Sequence, residues 1–249
     1  MVMFYFSATG NSKYIAELFS RNMNALCHSI EEDIDFAGLI SSEDIICFCY
    51  PIYGSRVPRL MREFAVSHME ALKNKKLIIF CTQMYFSGDG ARAFTDLFPS
   101  GFAEVIYAEH FLMPNNVCNV FITPLPSDKT IQKYLQNANS KMKDVCDDIA
   151  NEIVKKRGFN VASRALGLIQ GVFFPGLERW AQGRVWVDNN CNQCLLCVSI
   201  CPANNFEYKD DNVVTKNNCM MCFRCINKCP QKAIAVSLRK KVKKQYRGV

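Results

Sequence analysis

Val2-Met3-Phe4-Tyr5-Phe6-Ser7-Ala8-Thr9-Gly10-Asn11-Ser12 is an apolar run followed by a polar loop, and a helical pattern starts near Lys13. A short run rich in aromatic and branched side chains predicts a strand. Hydroxyls and backbone N–H groups at the start of a helix form a phosphate site. The spacing matches neither a Walker loop nor a dinucleotide-binding glycine loop. The stretch therefore predicts a strand, a phosphate loop and a helix.

Short apolar runs alternate with helical patterns as far as residue 157. The predicted strands cover residues 2–6, 25–29, 45–50, 77–81 and 104–108, and amphipathic stretches at 13–23 and 58–68 lie between them. A longer helical pattern over residues 127–157 closes the domain. Strands that alternate with helices predict a parallel sheet with both faces covered.

Two further loops follow the third and fourth predicted strands. The first contains Pro51, Ile52, Tyr53 and Gly54; the second contains Thr82, Gln83, Met84, Tyr85, Phe86, Ser87, Gly88 and Asp89. Ligands of open α/β sheets bind beyond the carboxyl ends of the strands. We therefore expect both loops to contribute to one site together with residues 7–12.

Residues 7–12 resemble the flavodoxin phosphate loop, [ST]-x-T-G-x-[ST], and the likeness covers about 150 residues. It implies an α/β, flavodoxin-like, doubly wound five-stranded parallel sheet of order 2-1-3-4-5, and FMN as cofactor. Hydroxyls and amides of the phosphate loop would hold the phosphate, Tyr53 would cover the flavin, and the Gly54 peptide would respond to protonation of the ring. The second loop would supply aromatics and backbone donors on the other side. A flavodoxin-like domain that binds no flavin is the alternative. This domain departs from typical flavodoxins in being nearly neutral, which fits a fused redox partner, and in lacking their usual acidic third loop.

Eight of the fourteen cysteines form two copies of C-x2-C-x2-C-x3-C-P. The first copy has Cys191, Cys194, Cys197 and Cys201, and the second has Cys219, Cys222, Cys225 and Cys229. Structural zinc sites take pairs of cysteines in tetrahedral arrangement and would leave the third close thiolate of each run unused. The pattern is typical of proteins with two 4Fe-4S clusters.

This part resembles the bacterial two-cluster ferredoxins over about 50 residues, which implies a small α+β domain with low-potential clusters. The resemblance assigns Cys191, Cys194, Cys197 and Cys229 to one cluster. It assigns Cys219, Cys222, Cys225 and Cys201 to the other. Nearly the whole chain is similar to bacterial flavodoxin–ferredoxin fusions of the EFR1 family. The expected domains are 1–157 (flavodoxin-like), 158–187 (a linker with a short amphipathic segment at 161–174), 188–236 (ferredoxin) and 237–249 (a basic tail).

The net charge of +7 is concentrated in the C-terminal part of the chain. Residues 158–249 carry 14 basic and 5 acidic side chains, and the tail at 239–247 is the most basic segment. The tail lacks the aromatics and the fold of a nucleic-acid site, so we expect solvation or docking of a protein partner there. The linker segment is expected to pack between the modules or to form a docking surface for a partner or a membrane face.

Reducing compartments disfavour disulfides, so fourteen cysteines in an intracellular-looking chain indicate metal binding. A cytoplasmic location is expected, and no apolar run is long enough to span a bilayer. Six further cysteines are expected to be small buried hydrophobes, with thiol chemistry as the alternative. They are Cys27, Cys47, Cys49, Cys81, Cys118 and Cys146.

The motifs together predict a carrier that passes single electrons between FMN and two clusters, and on to or from a protein redox partner, in anaerobic electron transport. Two alternatives remain open. A flavin-dependent reductase would use Tyr53, Tyr85 and Asp89 to line a substrate pocket. A redox sensor, or a protein with purely structural clusters, would use the first domain as an interaction platform.

Overall fold

The first part of the chain folds around a parallel sheet of six strands in the computed structural model, which describes residues 1–85, 88–119, 124–238 and 242–249. The sheet order is β2-β1-β3-β4-β5-β6. Its strands are β1 (Val2–Tyr5), β2 (Leu26–Ser29), β3 (Ile45–Pro51), β4 (Lys76–Gln83), β5 (Glu104–Leu112) and β6 (Lys155–Lys156). β3 and β4 are almost continuously apolar because both of their faces are buried.

Helices cover both faces of this sheet. On one face Phe4 and Phe48 pack against Phe64 and Phe94, and on the other Phe80 packs against Phe19. The helices of this domain are α1 (Asn11–Met23), α2 (Phe36–Ser42), α3 (Arg59–Ser67), α4 (Met69–Leu72), α5 (Arg92–Thr95) and α6 (Asp128–Ala150). The domain is therefore doubly wound, with one apolar core on each face of the sheet.

The predicted order 2-1-3-4-5 is confirmed for the five strands, but the prediction that the sheet has only five strands is wrong. The helix predicted to reach residue 157 ends at Ala150, and Glu152 has a left-handed φ of 55°. Lys155 and Lys156 then pair with the edge strand β5. Two consecutive lysines carry little strand preference, so this pairing depends on the open backbone edge of β5.

The expected linker contains one long helix, α7 (Val161–Gln182), which extends eight residues beyond the predicted segment. The Asn160 side chain caps it by accepting from the Ser163 N–H at 2.7 Å. Pro175 lies inside the helix and has no N–H to donate to the Gly171 carbonyl one turn earlier. Arg56 donates to that carbonyl instead, from Nε at 3.3 Å and Nη2 at 3.2 Å. The first domain thus holds α7 at the turn where the hydrogen bonding of the helix backbone is interrupted.

The C-terminal part is built from two small antiparallel sheets and two short helices. β7 (Val185–Val187) pairs with β10 (Ile234–Val236), and β8 (Phe206–Lys209) pairs with β9 (Asn212–Thr215). The helices α8 (Leu196–Ile200) and α9 (Arg224–Lys228) each lie within one cysteine run, just before its last cysteine. None of the described helices has both the length and the apolar character needed to cross a membrane.

The end of the chain is packed more closely than a solvated tail. Val242 and Tyr246 are each 2% exposed, and Gln245 donates to the Ile226 and Cys229 carbonyls. Arg239, Lys240 and Lys241 lie outside the described residues. Docking of a partner through this basic segment stays a prediction.

His110 is expected to make stability depend on pH. Burial lowers its pKa to about 4, with Glu109 opposing this effect and Arg157 and Lys141 adding to it. An unfolded histidine titrates near pH 6.5, so between these pKa values the unfolded chain binds more protons than the folded one. The contribution of neutral His110 to stability is therefore fully present above pH 6.5 and is lost as pH falls toward 4. We expect roughly 2 kcal/mol of loss between pH 7 and pH 5 from this group, measurable by urea unfolding at each pH.

His110→Gln should remove this part of the pH dependence, whatever it does to stability at pH 7. His28→Gln is the control, since His28 lies on a partly exposed strand and pairs with Glu32. An unchanged slope in His110→Gln would show that other groups cause the pH dependence.

Candidate functional site

A cleft opens at the carboxyl edge of the sheet and brings parts of all three predicted loops together. Its empty volume is about 730 Å³, part of which is open solvent. It is lined by Ser7, Ala8, Thr9, Asn11, Ser12, Pro51, Ile52, Tyr53, Thr82, Gln83, Met84, Pro114, Asn115, Asn116, Val117, Met221 and Phe223. The cleft therefore lies where an open α/β sheet binds its ligands.

The loop at residues 7–12 has the backbone features of an anion-binding loop. Gly10 has a φ of 110°, which favours glycine, and its N–H donates to Ser7 Oγ at 3.2 Å. α1 begins at Asn11 with no acidic residue in its first turn, so its N-terminal amides present a partial positive charge. The described lining contains no lysine or arginine. A phosphate here would depend on hydroxyls, amides and the helix N-terminus.

Contacts with neighbouring loops fix the hydroxyls of this loop. Ser12 Oγ lies 2.7 Å from Thr82 Oγ1, and Asn116 donates to Thr9 Oγ1 at 3.1 Å. Asn11 accepts from the Tyr246 hydroxyl at 2.6 Å, so the C-terminal segment also holds the start of α1. The site is thus preorganised by residues far apart in the chain.

Tyr53 reaches both the cleft and the cysteine-rich part. Burial raises its pKa well above the usual range, Cys222 and Cys219 raise it further, and Arg224 opposes them. The ring is partly exposed toward the cleft, but its hydroxyl is buried and has no hydrogen-bond partner among the described residues. A buried hydroxyl without a partner is expected in a site where a bound ligand supplies the missing hydrogen bond.

Several predicted residues do not line the cleft. Gly54 and Gly88 face α7, where added Cβ atoms would lie 2.7 Å from the Phe174 ring and 2.2 Å from the Gly167 N atom. Asp89 is 3% exposed and pairs with Arg92 at 2.5 Å, and Tyr85 is exposed. Phe86 and Ser87 lie outside the described residues. The reductase alternative needs Tyr53, Tyr85 and Asp89 to line a substrate pocket. Of these three residues, only Tyr53 lines the cleft.

Two groups of residues that line the cleft were not predicted from the sequence. Residues 114–117 follow β5, and the rule that ligands bind beyond strand ends could have identified them. Met221 and Phe223 are the residues between cysteines of the second run. No sequence signal marks them, because their place in the cleft depends on how the two parts pack.

The two cysteine runs have the same backbone conformation at an offset of 28 residues. Left-handed φ values occur at Gln193 and Leu195 in the first run, and at Met221 and Phe223 in the second. Such values are uncommon for non-glycine residues, so their repetition indicates a shared structural demand. Both copies use this conformation to turn amides toward sulfur.

Four backbone amides in this part of the chain donate to cysteine sulfurs, and two of them belong to the left-handed residues Gln193 and Met221. The donor–acceptor pairs are Gln193 to Cys191 at 3.4 Å, Asn205 to Cys201 at 3.3 Å, Met221 to Cys219 at 3.3 Å and Ala233 to Cys229 at 3.3 Å. Hydrogen bonds to sulfur favour the thiolate and tune the potential of an iron–sulfur site.

The fourth cysteine of each run lies with the other run. Burial raises the pKa of Cys197 to about 11, and Cys191 and Cys229 raise it further. Burial raises the pKa of Cys225 well above the usual range, with added effects from Cys222, Cys219 and Cys201. Cys191, Cys194, Cys197 and Cys229 also line one cavity, which Cys225 borders as well.

The described residues contain no group of three or more His, Cys, Asp or Glu side chains placed to hold a single metal ion. A cubane cluster differs from a single ion because its four thiolates bind four separate irons. The grouping of thiols and the sulfur-directed amides fit such a cluster.

The remaining cysteines mostly behave as small buried hydrophobes. Cys47, Cys49, Cys81 and Cys146 are buried, whereas Cys27 and Cys118 are partly exposed. Burial raises the pKa of each of the six, so their thiolate forms are disfavoured.

Comparison with known protein families finds a match in the first part of the chain. A family model described as a flavodoxin domain matches residues 2–121. The chain thus has an N-terminal flavodoxin-like domain. No curated protein matches the chain.

Solved structures give distant partial matches. A flavodoxin from Megasphaera elsdenii is 21% identical, with a TM-score of 0.38, covering 57% of this chain and 99% of its own. A WrbA-like flavodoxin from Agrobacterium tumefaciens is 17% identical, with a TM-score of 0.41 and coverages of 61% and 97%. General stress protein 14 from Treponema denticola, solved in complex with FMN, is 13% identical, with a TM-score of 0.40 and coverages of 59% and 96%.

Proposed function

We propose that this chain is a fused flavodoxin–ferredoxin that carries electrons between FMN in the cleft and two 4Fe-4S clusters. The observation that carries the proposal is the position of Met221 and Phe223. Both belong to the second cysteine run, and both line the same cleft as the phosphate loop. The flavin site and one cluster site therefore share a wall.

The residues of the cleft fit FMN. The loop at 7–12 would bind the phosphate through hydroxyls and amides, and Tyr53 would pack against the flavin ring. Flavin accepts one or two electrons and so links two-electron donors to one-electron carriers.

The cysteines that would hold the cluster nearer the flavin are Cys219, Cys222, Cys225 and Cys201. Cys219, Cys222 and Cys225 are buried and Cys201 is partly exposed, so most of this site is shielded from water. The other set, Cys191, Cys194, Cys197 and Cys229, is more accessible, and Cys194 is exposed. We infer that electrons pass between flavin, the buried cluster and the accessible cluster, and that a protein partner docks at the accessible one.

Anaerobic reconstitution tests the proposal directly. We expect about one FMN and about eight irons per chain, measured by flavin fluorescence after denaturation and by iron and sulfide analysis. Thr9→Val should weaken FMN binding about tenfold, because it removes one hydroxyl that bonds to a charged phosphate. Its iron content should stay that of the wild type.

Thr95→Val is the matched control, since Thr95 donates to the Arg92 carbonyl on α5 and does not line the cleft. Four irons or fewer in fully reconstituted protein would overturn the two-cluster assignment. Absence of flavin in protein with a full iron content would overturn the FMN site alone.

A further inference from the structure

The outward face of α7 is a long apolar surface. Phe173 is 77% exposed, Ile169 66% and Val172 65%, which is unusual for side chains of this size. The whole face, called here the α7 stripe, consists of Val161, Leu168, Ile169, Val172, Phe173, Leu177 and Trp180, all exposed. A contiguous apolar face of this extent marks an interaction surface.

The inward face of α7 is fixed to the flavodoxin-like domain. A Cβ on Gly167 would lie 1.8 Å from Asp89 Oδ1, so the helix backbone touches the loop after β4. Arg56 donates to the Gly171 carbonyl, and Ser55 bonds to Gln170. Near the end of the helix Glu178 pairs with Arg62 at 3.3 Å. Because these contacts need the inward face, the helix cannot turn its apolar stripe into the protein.

The charge around the stripe has one sign. Residues 153–186 contain six basic side chains and one acidic side chain, Glu178, which Arg62 already neutralises. Arg164 lies four residues before Leu168, and Arg179 lies seven residues after Val172. Both arginines therefore lie on the helix face that carries the stripe. Arg184 stacks on the Trp180 ring at 4.3 Å. The stripe thus has arginines at both ends and a tryptophan at its edge.

We propose that α7 lies flat on an anionic lipid bilayer and holds the protein at the membrane surface. Arginines flanking an apolar helical face, with tryptophan at the boundary, are the features of helices that bind in the plane of a membrane. A protein partner of ordinary composition would present both signs of charge at its rim, and the stripe offers no free acid to meet a cation. The proposal does not depend on FMN or on the clusters.

Vesicle flotation tests the proposal with the full chain. We expect binding to vesicles of equimolar phosphatidylcholine and phosphatidylglycerol, weak binding to phosphatidylcholine alone, and release at high salt. Phe173→Asp should lower the partition constant at least about tenfold, through lost apolar burial. Arg164→Gln and Arg179→Gln should each lower it roughly fivefold, and only on the anionic vesicles.

Ile34→Asp is the control, because Ile34 is an exposed apolar residue before α2 and outside the stripe. It should bind vesicles as the wild type does, and circular dichroism should show that every variant is folded. Equal binding by Phe173→Asp and the wild type would overturn the proposal. The proposal would also be overturned if the wild-type chain bound neither kind of vesicle and formed a dimer that Phe173→Asp dissociates. The stripe would then be the interface between two copies of the chain.

Discussion

Cys201→Ser is expected to lower the iron content from about eight to about four per chain, and the cluster lost should be the one beside the flavin. Cys201 belongs to the first cysteine run, yet it lies near the second: burial raises the pKa of Cys219, Cys222 and Cys225, and Cys201 raises each of these pKa values further. Replacing it therefore removes one corner ligand from the second set. Iron analysis and low-temperature electron paramagnetic resonance of the reduced protein measure the loss.

Cys229→Ser gives the reciprocal measurement. It should also lose about four irons, but it should keep the cluster beside the cleft and with it electron exchange with the flavin. Cys118→Ser is the control, because Cys118 packs against the same core without belonging to either run. If Cys201→Ser lost the exposed cluster and kept the buried one, each run would hold its own cluster and the crossed assignment would be wrong.

Arg224→Ala is expected to loosen the joint between the two parts of the protein. Arg224 donates to the Ser7 carbonyl at 2.9 Å and to the Ala8 carbonyl at 3.1 Å, and it pairs with Glu31. Its side chain is only 15% exposed, so the loss leaves partly buried carbonyls without this donor. We expect the free energy of unfolding to fall by about 3 kcal/mol.

The same change should slow electron exchange between flavin and cluster, because Arg224 directly follows Phe223 and holds the phosphate loop against the second run. Stopped-flow reduction of the reconstituted protein measures that rate. Arg21→Ala is the control, since Arg21 is exposed in the last turn of α1, and it should change stability by less than about 0.5 kcal/mol. Wild-type stability together with a wild-type rate would show that Arg224 does not hold the two parts together.

The sequence allowed the first domain to be predicted well where local pattern and global packing agree. The runs that became β1, β3 and β4 are apolar because both faces of the sheet are covered, and that requirement is visible in the residues themselves. The end of α6 was predicted badly. Helical periodicity continues to Ile153, but the chain turns at Glu152 and Ile153 is 45% exposed.

The residues of the candidate site likewise divide into those that local sequence pattern predicts and those that it does not. Thr9, Gly10 and Ser12 were found because a phosphate loop needs a local arrangement of hydroxyls, amides and glycine at the start of a helix. Met221 and Phe223 were not found, because they reach the cleft from a distant part of the chain. Their side chains obey no spacing rule that relates them to the loop.

The sequence alone thus determined the doubly wound first domain, the place of its phosphate loop and the repeated cysteine pattern. Each of these depends on residues close together in the chain, where periodicity and spacing carry the information. Only the tertiary structure placed Tyr246 on Asn11 and Arg224 on the carbonyls of Ser7 and Ala8. These contacts join residues more than 200 positions apart, so only the packing of the two parts brings them together.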